Sequence, residues 1–161
     1  MNNRALLLSA ATALVLALSG CACLQGMGGD SSKARDAVRA KYPNLRECDA
    51  QDCSVSVTAT ACDPASIKAA PDPLAVVKTH RGVLIVWTVD SPGYTFDRKS
   101  GIVLKDASQG QFKCKARSRA TEYDCTNKNE NASITEYQYS ITLRDAGGRA
   151  CTLDPIIING Y

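Results

Sequence analysis

From Cys53 onward the apolar residues of this chain return at every second position, and that period constrains its fold more than any other feature. Successive side chains of a strand point to opposite faces, so a period of two marks a strand buried on one side; a helix needs spacings of three and four. In residues 53–60, Val55 and Val57 alternate with Ser54, Ser56 and Thr58. In residues 136–144, Tyr137, Tyr139, Ile141 and Leu143 alternate with Gln138, Ser140, Thr142 and Arg144. Residues 82–89 set Val83, Ile85, Trp87 and Val89 on one face and Leu84 and Val86 on the other. Apolar on both faces, that strand belongs in the middle of a sandwich or under a covering element.

Turn residues separate these runs. Ala69-Ala70-Pro71-Asp72-Pro73 breaks pairing, because proline brings no donor, and a strand resumes over 74–78. Asp90-Ser91-Pro92-Gly93 is a turn, and short strands over 94–96 and 101–105 flank Arg98-Lys99-Ser100. Asp145-Ala146-Gly147-Gly148 turns the chain into closing strands over 149–153 and 156–159, on either side of Pro155. About seven to nine short strands at this spacing define an all-β fold, an antiparallel β-sandwich. Trp87 on a central strand, followed by Tyr137-x-Tyr139, resembles the immunoglobulin-type sandwich, although Ile141 stands where that pattern carries its second cysteine. Ahead of the strands, Ser32 is placed to cap a helix over 33–41, with Ala34, Ala37 and Val38 on one side and Pro43 ending it.

Residues 111–127 read as one hairpin. Setting Cys114 against Cys125 also sets Lys115 against Asp124, Ala116 against Tyr123 and Arg117 against Glu122, so opposite charges face one another across the strands. The tip is the weak part, since Arg119-Ala120 lacks the Asn or Gly that tight hairpin turns prefer. Six of the eight cysteines follow residue 40: Cys48, Cys53, Cys62, Cys114, Cys125 and Cys151. Six cysteines allow 15 pairings. The hairpin register selects Cys114 with Cys125, and three pairings of the other four remain. Of these, Cys48 with Cys53, close in sequence, and Cys62 with Cys151, joining an early segment to a closing strand, are favoured.

The N-terminus says where such bridges would form. Arg4 precedes an apolar run over residues 5–18, too short for a stable span, which takes about 20 residues. The run closes on Leu18-Ser19-Gly20-Cys21. This tetrapeptide resembles the lipobox of bacterial lipoproteins, cut by the lipoprotein signal peptidase. The resemblance implies that residues 1–20 are a signal peptide and that Cys21 carries the lipid. It also implies an outer-membrane destination, because Ala22 rather than Asp follows the cysteine. Gly-rich residues 21–32 then read as a tether, and 33–161 as one disulfide-linked domain. Cys23, beside the anchor, is the odd cysteine left over.

The leader holds one of the 19 basic residues, Arg4, and none of the 16 acidic ones, so the remainder is near neutral. That balance points away from nucleic acid, which calls for a strongly basic face. No cofactor and no metal are expected. Cys48-x4-Cys53 lacks the second pair of a zinc site, and Asp49-Ala50-Gln51-Asp52 lacks the calcium-loop pattern of an EF-hand. His80, the one histidine, reads as a solvated loop residue, and no nucleophile with a histidine base is legible. Asp90, Asp97 and Asp106 read as turn acids rather than catalytic carboxylates. Asn131-Ala132-Ser133 matches the glycosylation triplet without consequence in a bacterial lipoprotein. Lys113, Lys115, Arg117 and Arg119 form a basic stripe, half neutralised by Glu122 and Asp124 in the hairpin register, which an anionic polymer or headgroup would otherwise favour.

The expectation is therefore a binding or structural module of the envelope, not an enzyme, attached to the membrane through Cys21 and meeting an envelope protein or anionic polymer. The alternative is a lipid-anchored inhibitor of a hydrolase such as lysozyme. Small periplasmic lysozyme inhibitors are similar in size, anchorage and disulfide use, and Ser91-Pro92-Gly93-Tyr94 echoes their inhibitory loop.

Overall fold

A computed structural model of the chain describes residues 29–105 and 110–161. Cys21, Cys23 and Asp106 lie outside the described residues. The strands are β1 (Arg46–Cys48), β2 (Asp52–Ala59), β3 (Ile67–Ala70), β4 (Leu74–Val76), β5 (Val83–Val89) and β6 (Thr95–Phe96). They continue as β7 (Ile102–Leu104), β8 (Phe112–Ala116), β9 (Glu122–Asn127), β10 (Thr135–Arg144), β11 (Ala150–Leu153) and β12 (Ile156–Asn159), after one helix, α1 (Gly29–Lys41). One sheet runs β1-β4-β12-β10-β11, with β6 and β7 also paired to β10; the other runs β3-β2-β5-β9-β8. The all-β sandwich is what the alternation requires.

Two expectations are corrected. The strands number twelve among the described residues, beyond the expected range. Two of the additions are β1, too short to show a period, and β3, where Ala69 and Ala70 pair with Val57 and Ser56 so that the break begins only at Pro71. The sheets are mixed, since β1 with β4, β12 with β4 and β2 with β5 run parallel. Parallel neighbours need a crossover. Here the crossovers arise because the chain changes sheets repeatedly, and the result departs from the antiparallel immunoglobulin-type arrangement. Of the two places expected for the strand over 82–89, the structure shows the middle of the sandwich, and Leu84 and Val86 have no covering layer among the described residues. They are half-buried because β5 is central, with Asp52 and Thr126 flanking Leu84 and Ser54 and Asp124 flanking Val86.

Between the sheets lie Val55, Val57, Ile85, Trp87, Tyr139, Ile141, Leu143 and Ile157, all fully buried. Three aromatic pairs cross the layer edge-on: Trp87 with Tyr139, Phe96 with Tyr123 and Phe112 with Tyr137, at ring centroids 5.6, 5.7 and 5.5 Å apart. Such pairs contribute about 0.5–1.5 kcal/mol beyond their burial. The Trp87 Nε1 also donates to the Tyr139 hydroxyl at 3.1 Å, which satisfies the indole inside the core. One end of the sandwich closes on a buried amide cluster. Asn127 and Asn159, from opposite sheets, exchange hydrogen bonds of 2.7 and 2.9 Å, and Asn129 Nδ2 donates to the Val77 and His80 carbonyls.

Helix α1 covers the outer face of the seven-stranded sheet. Alternation along β4 and β12 sends Leu74, Val76 and Ile157 into the sandwich and Ala75 and Ile158 outward, where they meet Val38, Tyr42 and Tyr161. The described helix already includes Gly29, so it takes the last part of the segment expected as tether, and Ser32 lies within it rather than at its cap. Its inward residues are Arg35 and Val38, continued by Tyr42 just past its end, with Ala34 and Ala37 exposed, because the seat requires a residue on each successive turn. Arg35 donates to the Tyr161 carbonyl at 3.0 Å, and Lys41 and Tyr42 both bond Glu136 at 2.8 Å.

Candidate binding face

With α1 on one side of the sandwich, the outer face of the five-stranded sheet is left without a covering element among the described residues. The registers give its composition. Phe112, Cys114 and Ala116 pack toward the core, so Lys113 and Lys115 point outward, opposite Thr126 and Asp124. Next in line are Leu84, Val86 and Thr88 of β5, opposite Thr126, Asp124 and Glu122, and then Ser54 and Ser56 of β2. This face is a band of hydroxyls around two half-buried aliphatics, with Asp52 and Lys68 also outward on β2 and β3 and the charged hairpin along the far edge.

The hairpin register is the expected one, with Cys114 opposite Cys125 and Arg117 meeting Glu122, but Asp124 does not take Lys115. Arg117 Nε donates to Asp124 at 3.0 Å and its Nη1 to Glu122 at 3.2 Å, while Arg119 reaches Glu122 at 3.1 Å. The planar guanidinium fork engages both carboxylates at once, which a point-like ammonium does not do. Asp124 therefore serves Arg117 although Lys115 stands directly opposite it. Lys113 and Lys115 are exposed and have no carboxylate partner among the described residues. Lys128 joins them: its N–H bonds the Gln111 carbonyl at 2.8 Å, extending the ladder by one pair and placing it on the face of Asp124 and Thr126. Sequence reasoning missed Lys128, though counting the hairpin register one pair further would have found it. The tip is a wide loop over residues 117–121, held by backbone bonds from Phe96 to Ala120 and from Val89 to Thr121 at 2.8 and 2.9 Å.

Other candidates are structurally occupied. His80 lies in the half-exposed loop expected of it, and its Nε2 is 2.7 Å from Asp49 Oδ1. Gln51 donates to the carbonyls of Arg81 and Gly82, so the 49–52 turn is fastened to the loop before β5. No group of three metal-ligating side chains is found among the described residues. Asp97 is 7% exposed and accepts from Ser100 Oγ and from the Ser100 and Lys99 N–H groups, then from Arg144. Those donors hold its carboxyl far below the usual carboxylate range, the Ser100 hydroxyl most of all. Asp90 bonds Ser56. Asn131, of the glycosylation triplet, bonds Tyr137 and Asn159. The Ser91-Pro92-Gly93-Tyr94 turn is pinned to β2 by the Ala59 N–H, which donates to Ser91 Oγ at 2.8 Å, and Tyr94 packs on the core.

Burial drives the Tyr139 hydroxyl well above its ordinary titration range, consistent with a structural partner for Trp87 rather than an acid or base. A groove beside α1, lined by Lys41, Tyr42, Lys105 and Glu136, has its charges matched internally, Lys105 to Asp154 and Lys41 to Glu136. The disulfides are Cys48–Cys53, Cys62–Cys151 and Cys114–Cys125, the pairs favoured by spacing and register. No protein-family model matches this chain, and no curated protein matches it.

Proposed function

We propose that the chain is an exported lipoprotein of a bacterial envelope, held at the outer membrane by lipid on Cys21, and that it works by binding rather than by catalysis. The observation that carries this reading is the cysteine count. Three bridges inside the domain consume every cysteine after Cys23, so the lipobox cysteine is left without a partner there. Disulfides persist in oxidising compartments, in keeping with export. A lipobox cysteine that carries two or more acyl chains is anchored stably, at about 0.8 kcal/mol for each buried methylene. Helix α1, the element nearest the anchor in sequence, occupies one face of the sandwich and leaves the opposite face to the partner.

Growth of expressing cells with radioactive palmitate tests the anchor. The wild-type chain takes up label and runs with the membrane fraction, whereas Cys21→Ala remains unlabelled and keeps its leader. Equal labelling of the two proteins would remove the basis of the proposal.

A further inference from the structure

We infer that the outward lysines of the hairpin, Lys113, Lys115 and Lys128, bind an anionic polysaccharide laid across the five-stranded sheet. The inference rests on the reading of this protein as a binding module and names the chemistry of its partner. Lys113 and Lys115 are alternate residues of one strand, about 6.8 Å apart at the backbone. Lys128 lies diagonal to Lys113, about 7–8 Å away. Neighbours in this row thus stand at backbone spacings close to one Debye length, ~8 Å at physiological salt, so their charges are only partly screened from one another.

Carboxylates lie close by, yet Glu122 and Asp124 are committed to Arg117 and Arg119. What the lysines lack is an external anion, and a row of cations at strand pitch suits one that repeats. The rest of the face selects among polyanions. Thr126 stands opposite Lys113, and Thr88, Ser54 and Thr58 carry hydroxyls on across the sheet, which suit a sugar chain. A bilayer would call for apolar groups to insert. The exposed large hydrophobic residue among those described is Val103, on β7 of the other sheet.

Binding of the full chain, purified in non-ionic detergent, is measured against polygalacturonate as the anionic glycan and dextran as its neutral counterpart. The expected result is salt-sensitive binding to polygalacturonate and none to dextran. Lys113→Gln/Lys115→Gln is expected to weaken binding about tenfold and flatten the dependence on salt. Lys33→Gln, on α1 at the opposite side, leaves binding unchanged. Lysines on an edge strand also guard against strand-to-strand aggregation. Lys113→Glu/Lys115→Glu keeps that edge charged, and it should remain soluble while losing binding altogether. Undiminished binding by either double variant overturns the inference. So does wild-type binding that prefers dextran, or that prefers vesicles of phosphatidylcholine and phosphatidylglycerol to the polymer. None of these outcomes touches palmitate labelling, so failure here is distinguishable from failure of the lipoprotein reading.

Discussion

Asp97 shows how one side chain fixes a turn and an edge of the sandwich together. Its Oδ1 gathers the Ser100 hydroxyl and two backbone N–H groups, while Oδ2 holds Arg144, whose Nη1 continues to the Gly148 carbonyl at 2.9 Å. Beneath it Gly101 is obligatory, since a Cβ there would lie 2.7 Å from both the Asp97 carbonyl and the Tyr123 ring. Because the folded carboxyl titrates below its unfolded value of about 3.9, Asp97 contributes stability in full above that pH. The contribution is lost as pH falls through the folded value. Asp97→Asn should therefore melt below wild type at pH 7, with the gap narrowing at pH 3. Melting curves at both pH values check this, and a gap that widens in acid contradicts it. From the sequence Asp97 is only one more turn acid. Its role depends on Arg144, which lies far along the chain and meets it only in the folded sheet.

Among the elements, β5, β10 and the β8–β9 hairpin are legible because each repeats its inward residue several times, as Tyr137, Tyr139, Ile141 and Leu143 do on β10. The hairpin is over-determined, since cysteine and charge registers agree, and a slip of one residue would turn every side chain to the wrong face. Pairing direction is not legible. Whether β2 runs parallel to β5 depends on β3 and β4 intervening in different sheets, which alternation within β2 does not encode. Nor is the amide cluster, because asparagines at strand ends read as loop residues until Asn127 and Asn159 are seen to satisfy each other while buried. Part of the candidate face was visible in advance as the basic stripe, but the assignment of Asp124 to Arg117 required side-chain geometry. At this scale the hairpin disulfide is testable. Its loop has a sequence separation of 11, for which chain entropy gives about 3 kcal/mol. Cys114→Ala/Cys125→Ala should lose about that much in urea unfolding and retain its strand content by circular dichroism.

For the whole molecule, the decisive links are those between the sheets. Cys48–Cys53 joins β1 to β2, one strand from each sheet, at a corner where the chain changes layer. Cys62–Cys151 ties the segment after β2 to β11, and the Asn127–Asn159 pair joins β9 to β12. Trp87 and Tyr139 join the layers between these points. Links that constrain the unfolded chain act in proportion to the logarithm of the loop they close, so the bridges are unequal. Cys62–Cys151 spans a sequence separation of 89 and by the same chain-entropy relation contributes about 4–5 kcal/mol, against about 3 for the hairpin bridge. Much of the stability of an ordinary domain, about 5–15 kcal/mol, would go with it. Cys62→Ala/Cys151→Ala is expected to unfold at lower urea than Cys114→Ala/Cys125→Ala, and to lose the near-ultraviolet signal of Trp87 in the same transition as its strand content. A hairpin variant less stable than the long-loop variant would show that local pairing, rather than the closure between sheets, governs the stability of this sandwich.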